Sequence, residues 1–509
     1  MIDRASSTEP LSSLPSYVLD LVRSREGFGV FADGSWRRTR ETFDTLAPAS
    51  GRRLASVASA DDDDIEAVIA SARAAAARWR EVPALERGRL VGQVAAGLRD
   101  RLEDLAVLDA VDGGNPIGAC RFDVRQAAEL LDYMAGLALE VKGETIPTTR
   151  GILDFTLPEP FGVVARITAF NHPLLFAAKA LGAPLVAGNT VIVKPSPWTP
   201  LSATLMVEIA AGILPPGVVN LLTGGAPVAA ALARHGDVRR ISLTGSVVAG
   251  LAIGRAAAEV AIKSVSLELG GKNPLIALPD ADPDAVAAAV VDGMNLTSSA
   301  GQSCGSTSRL LVHSSLRDRV VAAVTERMDA LRIGDPLDPA TEMGPLVSAD
   351  QREKSERYVA DARAAGARLM CGGERPTARA LRDGFFYRPT LLEEVRPDMA
   401  IATQEVFGPV LVVQPWGNLE DALEIANGTR YGLTASVFTN DLTAAMTLTR
   451  QVRAGYVWIN GVSHHQLGSP FGGVRDSGTG REDSLGELLS YTQLKNVNIE
   501  LPRAASRPS

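Results

Sequence analysis

Cys304 stands in Gly301-Gln302-Ser303-Cys304-Gly305, directly after Ser298, Ser299 and Ala300. Small and polar neighbours predict an exposed loop or strand edge rather than an apolar core. A cysteine in such a place can be activated as a thiolate nucleophile; the competing reading is a small buried hydrophobe. Four other stretches carry groups that could act with it. Phe170-Asn171-His172-Pro173 offers a side-chain amide, able to donate to a developing oxyanion or merely to cap a helix. Leu267-Glu268-Leu269-Gly270-Gly271 sets a carboxylate between two leucines. An apolar setting raises its pKa towards the range of a general base, whereas a strand-end charge in solvent would do nothing. Thr244-Gly245-Ser246-Val247-Val248-Ala249-Gly250 reads as a strand-to-helix turn whose free N–H groups can hold a pyrophosphate, although it is not G-x-G-x-x-G. Gln404-Glu405-Val406-Phe407-Gly408-Pro409 puts an acid and an aromatic on one side of an extended chain. They can bind a ribose and cover a ring, or form a salt bridge and a core contact.

The elements that must position these groups follow from the hydrophobic pattern. A short helix is expected around Tyr17 to Val22 and a hairpin over Phe28 to Trp36, turning at Asp33-Gly34. The acidic run Asp61 to Asp64 marks a helix N-terminus, with Ile65, Val68, Ile69, Ala72 and Trp79 on one face. Arg87 to Leu108 and Arg125 to Val141 read as two further helices. Residues 143–160 predict two short strands around Arg150-Gly151, with Pro147 in an edge strand, and Ser490 to Glu500 predicts a strand reaching out to meet them. From Phe161 onward strands and helices alternate, first to Leu269 and again from Asn273. Alternation of this kind predicts parallel, doubly wound sheets with ligands at the carboxyl ends of the strands. The fold class expected is α/β: a dinucleotide-binding unit over 1–142 and 161–272, a catalytic unit over 273–480, and a β oligomerisation arm over 143–160 and 488–503.

Bulk properties narrow the function. At 509 residues the chain is long enough for about two to four domains. Its 46% hydrophobic and 22% charged content is that of a soluble globular protein. Three cysteines, Cys120, Cys304 and Cys371, stand far apart in no metal-like spacing, which predicts a reducing cytoplasm, no disulfide framework and no metal site. A net charge of −8 without a basic stripe argues against nucleic acid as a partner. The apolar region Phe161 to Val193 is broken by Arg166, Asn171, Pro173 and Lys179, so no membrane span is expected there, and Met1-Ile-Asp-Arg lacks the apolar region of a signal peptide.

The order and wording of these stretches resemble the aldehyde dehydrogenase superfamily from about Phe31 to Leu501. The resemblance includes Pro160 to Val164, Asn189 to Pro195, Pro215 to Gly224, Leu267 to Asn273, Gly301 to Cys304, Gln404 to Pro409, and Pro470 to Gly473 with Ser477-Gly478. It implies that Cys304 attacks the aldehyde carbon and that Asn171 and the Cys304 N–H hold the oxyanion. A hydride then passes to NAD or NADP, and Glu268 activates the water that hydrolyses the thioester. It implies that Lys194, Ser196, Gly225, Thr244, Gly245, Ser246, Glu405 and Phe407 contact the cofactor. It also implies a small-molecule aldehyde as partner, while the arm over 143–160 and the strand at 490–500 imply a homodimer or homotetramer. Cys120 and Cys371 match no functional position. The presence of Glu268 favours hydrolysis over transfer of the acyl group to coenzyme A. A semialdehyde or coenzyme A-acylating enzyme and a catalytically silent binding protein are the alternatives.

The chain departs from the family pattern in two places. Lys194-Pro195-Ser196-Pro197 lacks the glutamate that often follows Lys-Pro-Ser and repels a 2′-phosphate, so NADP is expected to be accepted beside NAD. Aligned from Asn171, Lys179 falls where several relatives carry a pocket tryptophan; aligned from Asn460, Ser463 and His465 fall on pocket positions. With Phe170 and Ser303 these make the expected substrate pocket. It is expected to be short of ring faces for a quaternary ammonium, and Lys179, His464 and His465 point instead to a carboxylate-bearing or polar aromatic aldehyde. The competing reading of Lys179 is a lysine that snorkels to solvent.

Overall fold

The computed structural model describes residues 14–501. Two parallel sheets dominate it. The first runs in the order Gly478–Thr479, Ser264–Glu268, Val238–Thr244, Val163–Ile167, Thr190–Lys194, Val219–Leu222, Val30–Ala32, Ser35–Trp36. Its inner strands are parallel and both edges antiparallel. The central strands are short runs of Val, Ile and Leu buried on both faces, as parallel strands covered by helices must be. The chain leaves Val163–Ile167 in one direction through Thr190–Lys194 and Val219–Leu222, then returns to its other side with Val238–Thr244. That reversal is a topological switch point, where a crevice opens at the carboxyl ends. Asn171, Lys194, Thr244 and Glu268 all lie at or just beyond those ends.

The second sheet runs Arg368–Cys371, Thr390–Glu393, Val410–Trp416, Arg309–His313, Pro274–Ala277, Thr434–Phe438, Tyr456–Ile459, parallel except for its first strand. Asn273, Cys304 and Glu405 each stand just ahead of one of its strands, at the amino end. The site therefore lies between the carboxyl ends of one sheet and the amino ends of the other. Gly478–Thr479, expected in the second unit, pair instead with Ser264–Glu268 of the first sheet, so the chain crosses back before residue 480.

Helix ends follow local chemistry. Asp61 accepts from the Asp64 N–H while Asp64 returns the bond to the Asp61 N–H, a reciprocal cap that starts Asp62–Trp79. The single helix expected over Arg87 to Leu108 is two, Ala84–Asp100 and Leu102–Gly113, broken where Arg101 leaves helical geometry. The helix expected from Arg125 begins at Ile117, after Pro116, and runs to Gly136. Buried acids cap from a distance: Asp109 accepts from the Leu174 N–H (3.1 Å) and Asp112 from the Leu201 N–H (3.0 Å). Each binds a free amide at the start of a helix packed on the first sheet.

The arm is a third, three-stranded sheet. Ile152–Pro160 pairs along its whole length with Thr492–Glu500, and with Thr145–Ile146 on its other side. The strand expected to contain Pro147 stops at Ile146. Leu153, Leu157, Leu494 and Ile499 remain exposed on it. Among the described residues, no helix is long and apolar enough to cross a membrane, and no group of His, Cys, Asp and Glu is placed to hold a metal.

Candidate active site

The Cys304 loop is set by its backbone. The short helix Leu296–Ser299 is flanked by left-handed residues, Asn295 before it and Ala300 and Gly301 after it. At Gly301 (φ 75°) a side chain would meet the Gly408 carbonyl oxygen at 2.5 Å and the Pro409 Cα at 2.9 Å. Only glycine lets these two stretches lie against each other. Gln302, buried, donates to the Ser299 carbonyl (3.0 Å) and accepts from the Val347 N–H (3.1 Å). Asn273 donates to the carbonyls of Cys304 (2.7 Å) and Ser306 (3.0 Å) and accepts from the Thr434 N–H (3.1 Å). One buried amide thus ties the Cys304 loop to the second sheet. Sequence reasoning gave Asn273 and Gln302 no role; their signal was their place inside two of the motifs.

Cys304 is half-buried rather than exposed, a correction to the loop-edge expectation. Burial pushes its thiol well above the ordinary value, and the Glu268 carboxylate adds to this as the charge that bears on it most strongly. The resting form is the thiol; a cation brought beside it would favour the thiolate. Glu268 is itself 5% exposed, so it is no solvent charge. Burial, then Glu482, raises its carboxyl well above the usual range, and its Oε1 has no hydrogen-bond partner. Asn171 is 4% exposed, and its carbonyl accepts from the Asn115 side chain (2.7 Å). Among the described residues neither its side-chain amide nor the Cys304 N–H has a partner.

On the first-sheet side, Thr244 pairs with Glu268 across neighbouring parallel strands, and the Gly245 N–H donates to the Glu268 carbonyl (3.0 Å). Ser246 caps Val247–Ala258 by accepting from the Ala249 N–H (3.2 Å). Gly245 has no protein atom closer than 3.5 Å to where a Cβ would stand, so its missing side chain leaves room outward. Gly250 serves helix–strand packing instead: a Cβ there would meet Leu269 at 2.8 Å. Val248 and Leu251 expose an apolar strip on the same helix. Lys194, 3% exposed, donates only to the Pro195 carbonyl (3.2 Å), and burial lowers its pKa to about 8. Ser196 accepts from the Trp198 N–H (3.2 Å), and Gly225 starts the helix Ala226–Arg234. Glu405 accepts from the Gly271 N–H (2.9 Å), and a side chain at Gly270 would strike its carboxylate at 2.1 Å. The chain at Phe407 is not extended as expected, since its φ is 59°. Glu405, Phe407 and Ser303 nevertheless line one small cavity. Helix amides, an apolar strip, a buried ammonium and a carboxylate together suit a dinucleotide with phosphates, a base and ribose hydroxyls.

The larger cavity is lined by Asn171, Lys179, Ser303, Cys304, Ser463 and His465, all of them expected at the site. Phe170 is not among them; it packs edge-on to Phe407 at 5.6 Å. Lys179 neither snorkels nor offers a free charge. Its ammonium binds Asp483 (2.6 Å) and Glu482 (2.9 Å), and these carboxylates hold its pKa up although burial opposes them. His465 is lowered to about 4 by burial and is therefore neutral; it packs on Phe471 at 4.5 Å and Trp458 at 5.7 Å. Ser463 Oγ is buried without a partner. Phe122, Phe176, Trp458 and Phe471 also face the cavity, so it holds more ring surface than the sequence reading allowed.

The model of the aldehyde dehydrogenase family matches residues 36–497. The chain belongs to the aldehyde dehydrogenase family. It is an NAD(P)-dependent enzyme of aldehyde oxidation. Among curated relatives, "Aldehyde dehydrogenase tropH" of Talaromyces stipitatus is 43% identical over 481 residues, 93% of each chain. Among solved structures, PnpE from Pseudomonas sp. WBC-3 is 35% identical with a TM-score of 0.91, covering 94% of this chain and 99% of its own. The same protein has been solved with nicotinamide adenine dinucleotide. A 3,6-anhydro-L-galactose dehydrogenase solved in complex with NADP is 32% identical with a TM-score of 0.90, covering 93% and 99%. The α/β fold with its parallel sheets is the fold of these family members.

Proposed function

We propose that Cys304 is the nucleophile of a hydrolytic reaction: an aldehyde, oxidised cofactor and water give a carboxylic acid, reduced cofactor and a proton. The thiol gives up its proton, the one released overall, as its sulfur attacks the aldehyde carbon, and the oxyanion is held by the Asn171 amide and the Cys304 N–H. The bound nicotinamide supplies a hydride acceptor. Loss of hydride from the carbon leaves a thioester on Cys304. Glu268 takes a proton from water, which displaces the sulfur and frees the acid. The observation that carries this reading is the company Cys304 keeps. It shares a cavity with Asn171, the Asn171 amide and its own N–H are free donors, and a buried carboxylate with an unpartnered oxygen is its strongest charged neighbour.

The cofactor positions proposed are Lys194, Ser196, Gly225, Thr244, Gly245, Ser246, Glu405 and Phe407. Pro197 carries no charge against a 2′-phosphate, which supports use of NADP beside NAD. The ring faces of the cavity support an aromatic aldehyde. The carboxylate preference first argued from Lys179 loses that support, because the ammonium is already doubly paired. The catalytic unit is assigned to the second sheet with the Cys304 loop, and the cofactor unit to the first. The exposed apolar residues of the arm support a homodimer or homotetramer, and three unpaired cysteines support a cytoplasmic setting.

Reduced-cofactor absorbance with aromatic, aliphatic and carboxylate-bearing aldehydes, each with NAD and NADP, tests the reading. Cys304→Ala is expected to lose activity by on the order of 10⁴-fold or more. Activity that survives it overturns the assignment. Glu268→Gln is expected to keep a first burst of reduced cofactor while steady turnover falls by about 10²–10⁴-fold. A variant that loses burst and turnover equally would place Glu268 before hydride transfer. A requirement for coenzyme A would favour the acyl-transferring alternative.

A further inference from the structure

His172 is the one polar group of the Asn171 stretch that the reaction leaves unused, and it is held as a recognition group would be. Its Nδ1 meets Asp123 Oδ2 at 2.8 Å, and its ring packs edge-on against Phe176 at 5.8 Å. The Asp123 side chain is 7% exposed and that of His172 16%. Both line the cavity that holds Cys304. With Nδ1 engaged, Nε2 has no hydrogen-bond partner among the described residues. The carboxylate fixes which ring nitrogen stays open, as it does wherever an Asp orients a functional imidazole.

We propose that His172, positioned by Asp123, is a specificity-determining residue whose Nε2–H binds a carboxylate or other anionic oxygen borne by the aldehyde away from its reacting carbonyl. This rests on the reading of the cavity as an aldehyde site and names its substrate class. Of the other basic side chains on the wall, two are spent. Lys179 is bound to Asp483 and Glu482, His465 is neutral, and no arginine lines the cavity among the described residues. Burial alone would discharge His172, but Asp123, with Asp109 behind it, holds its pKa above the ordinary value. Elsewhere on the wall stand His464, His465 and the paired Lys179 and Asp483. The charged form of the ring is lost as pH rises through its pKa, taking the anion contact with it.

The experiment compares 4-carboxybenzaldehyde with benzaldehyde as a ratio of kcat/KM, in the wild type, His172→Phe, His172→Gln and Asp123→Asn. His172→Phe is expected to lower the ratio by about tenfold or more, as loss of a charge-assisted hydrogen bond would. His172→Gln, which keeps an N–H donor, should restore part of it. In Asp123→Asn the preference should fade at lower pH than in the wild type. A His172→Phe ratio within about twofold of wild type overturns the proposal, since it shows that no charge-assisted contact was lost. Calorimetric binding of terephthalate and benzoate to the same proteins reads the contact without turnover. Selective loss of terephthalate in His172→Phe supports it, and equal loss of both acids overturns it. Selective terephthalate binding in a protein that oxidises none of the aldehydes would sink the proposed reaction while leaving this contact standing.

Discussion

The Cys304 loop and the cavity wall that faces it are built by different means. The loop is held by main chain: left-handed Asn295, Ala300 and Gly301, a glycine pressed on the Gly408 carbonyl, and Asn273 bonded to the Cys304 carbonyl. The wall is held by side chains that meet from far apart in sequence: Lys179 with Asp483 and Glu482, His172 with Asp123, Trp458 with His465. Backbone constraints admit very few residue types, so the loop can change little without losing its shape. Side-chain pairs can be exchanged as sets while the backbone stays put. On the proposed reading, the chemistry falls on the rigid half and the choice of aldehyde on the exchangeable half.

Removing a charge from the wall gives the largest expected effect on stability. In Lys179→Met, Glu482 and Asp483 lose the cation that neutralises them, with Arg166 left as the nearest remaining one, 3.6 Å from Glu482. Breaking a buried ion pair from one side costs about 3–5 kcal/mol, to be read as a lower urea midpoint. Asp483 also lines the cavity, so the uncovered charge should lower the rate for a carboxylate-bearing aldehyde more than for an uncharged one. A loss of stability under about 1 kcal/mol would show that water, not Lys179, keeps these carboxylates charged.

The loop breaks at a smaller cost in stability, with a larger consequence for the reaction. Gly301→Ala forces a side chain onto the Gly408 carbonyl oxygen, 2.5 Å away, at a φ of 75°. Left-handed strain of this kind costs about 1–3 kcal/mol. If the loop is the rigid half, activity should fall further than stability does, and the burst of reduced cofactor should fall with it. Full activity in a destabilised variant would mean that the loop relaxes and the contrast with the wall is false.

The same contrast decides what the sequence reveals. The strands after Phe161 are legible because β-branched runs lie between glycines and prolines, and Leu201–Ala211 and Val247–Ala258 fall where periodicity puts them. Cys304, Asn171 and Glu268 stand out in the sequence because each lies in a short glycine- or proline-bearing stretch. The hairpin Glu41–Ala47 with Arg52–Ser59 lacks such a run: its first strand is mostly exposed, and burial alternates irregularly along the second. The wall is hidden for a different reason. Asp123 lies ahead of the expected helix start at Arg125, and its partner is 49 residues away. Lys179 reads as a free charge until Glu482 and Asp483 fold back from the end of the chain. Periodicity reports which face of a helix is buried, not which charge will meet it there.

The smallest effect tests how the wall is anchored. Asp109 caps the helix Pro173–Val186, which carries Lys179 and follows directly on His172. Burial raises its carboxyl to about 7. The unfolded chain sheds this proton near the ordinary value of about 4, so between roughly pH 4 and 7 the native state holds a proton that the unfolded state lacks. Stability from this group is therefore greatest below pH 4, falls as pH rises through the window, and is level above it. Asp109→Asn keeps an oxygen for the Leu174 N–H and cannot ionise. Its urea midpoint should match or fall below wild type at pH 4 and gain on it by on the order of 2 kcal/mol at pH 8. Parallel pH profiles would show that Asp109 is ionised in the fold without cost. The cap would then be an anion acting on the helix N-terminus, and the wall would owe its position to charge as well as to pairing.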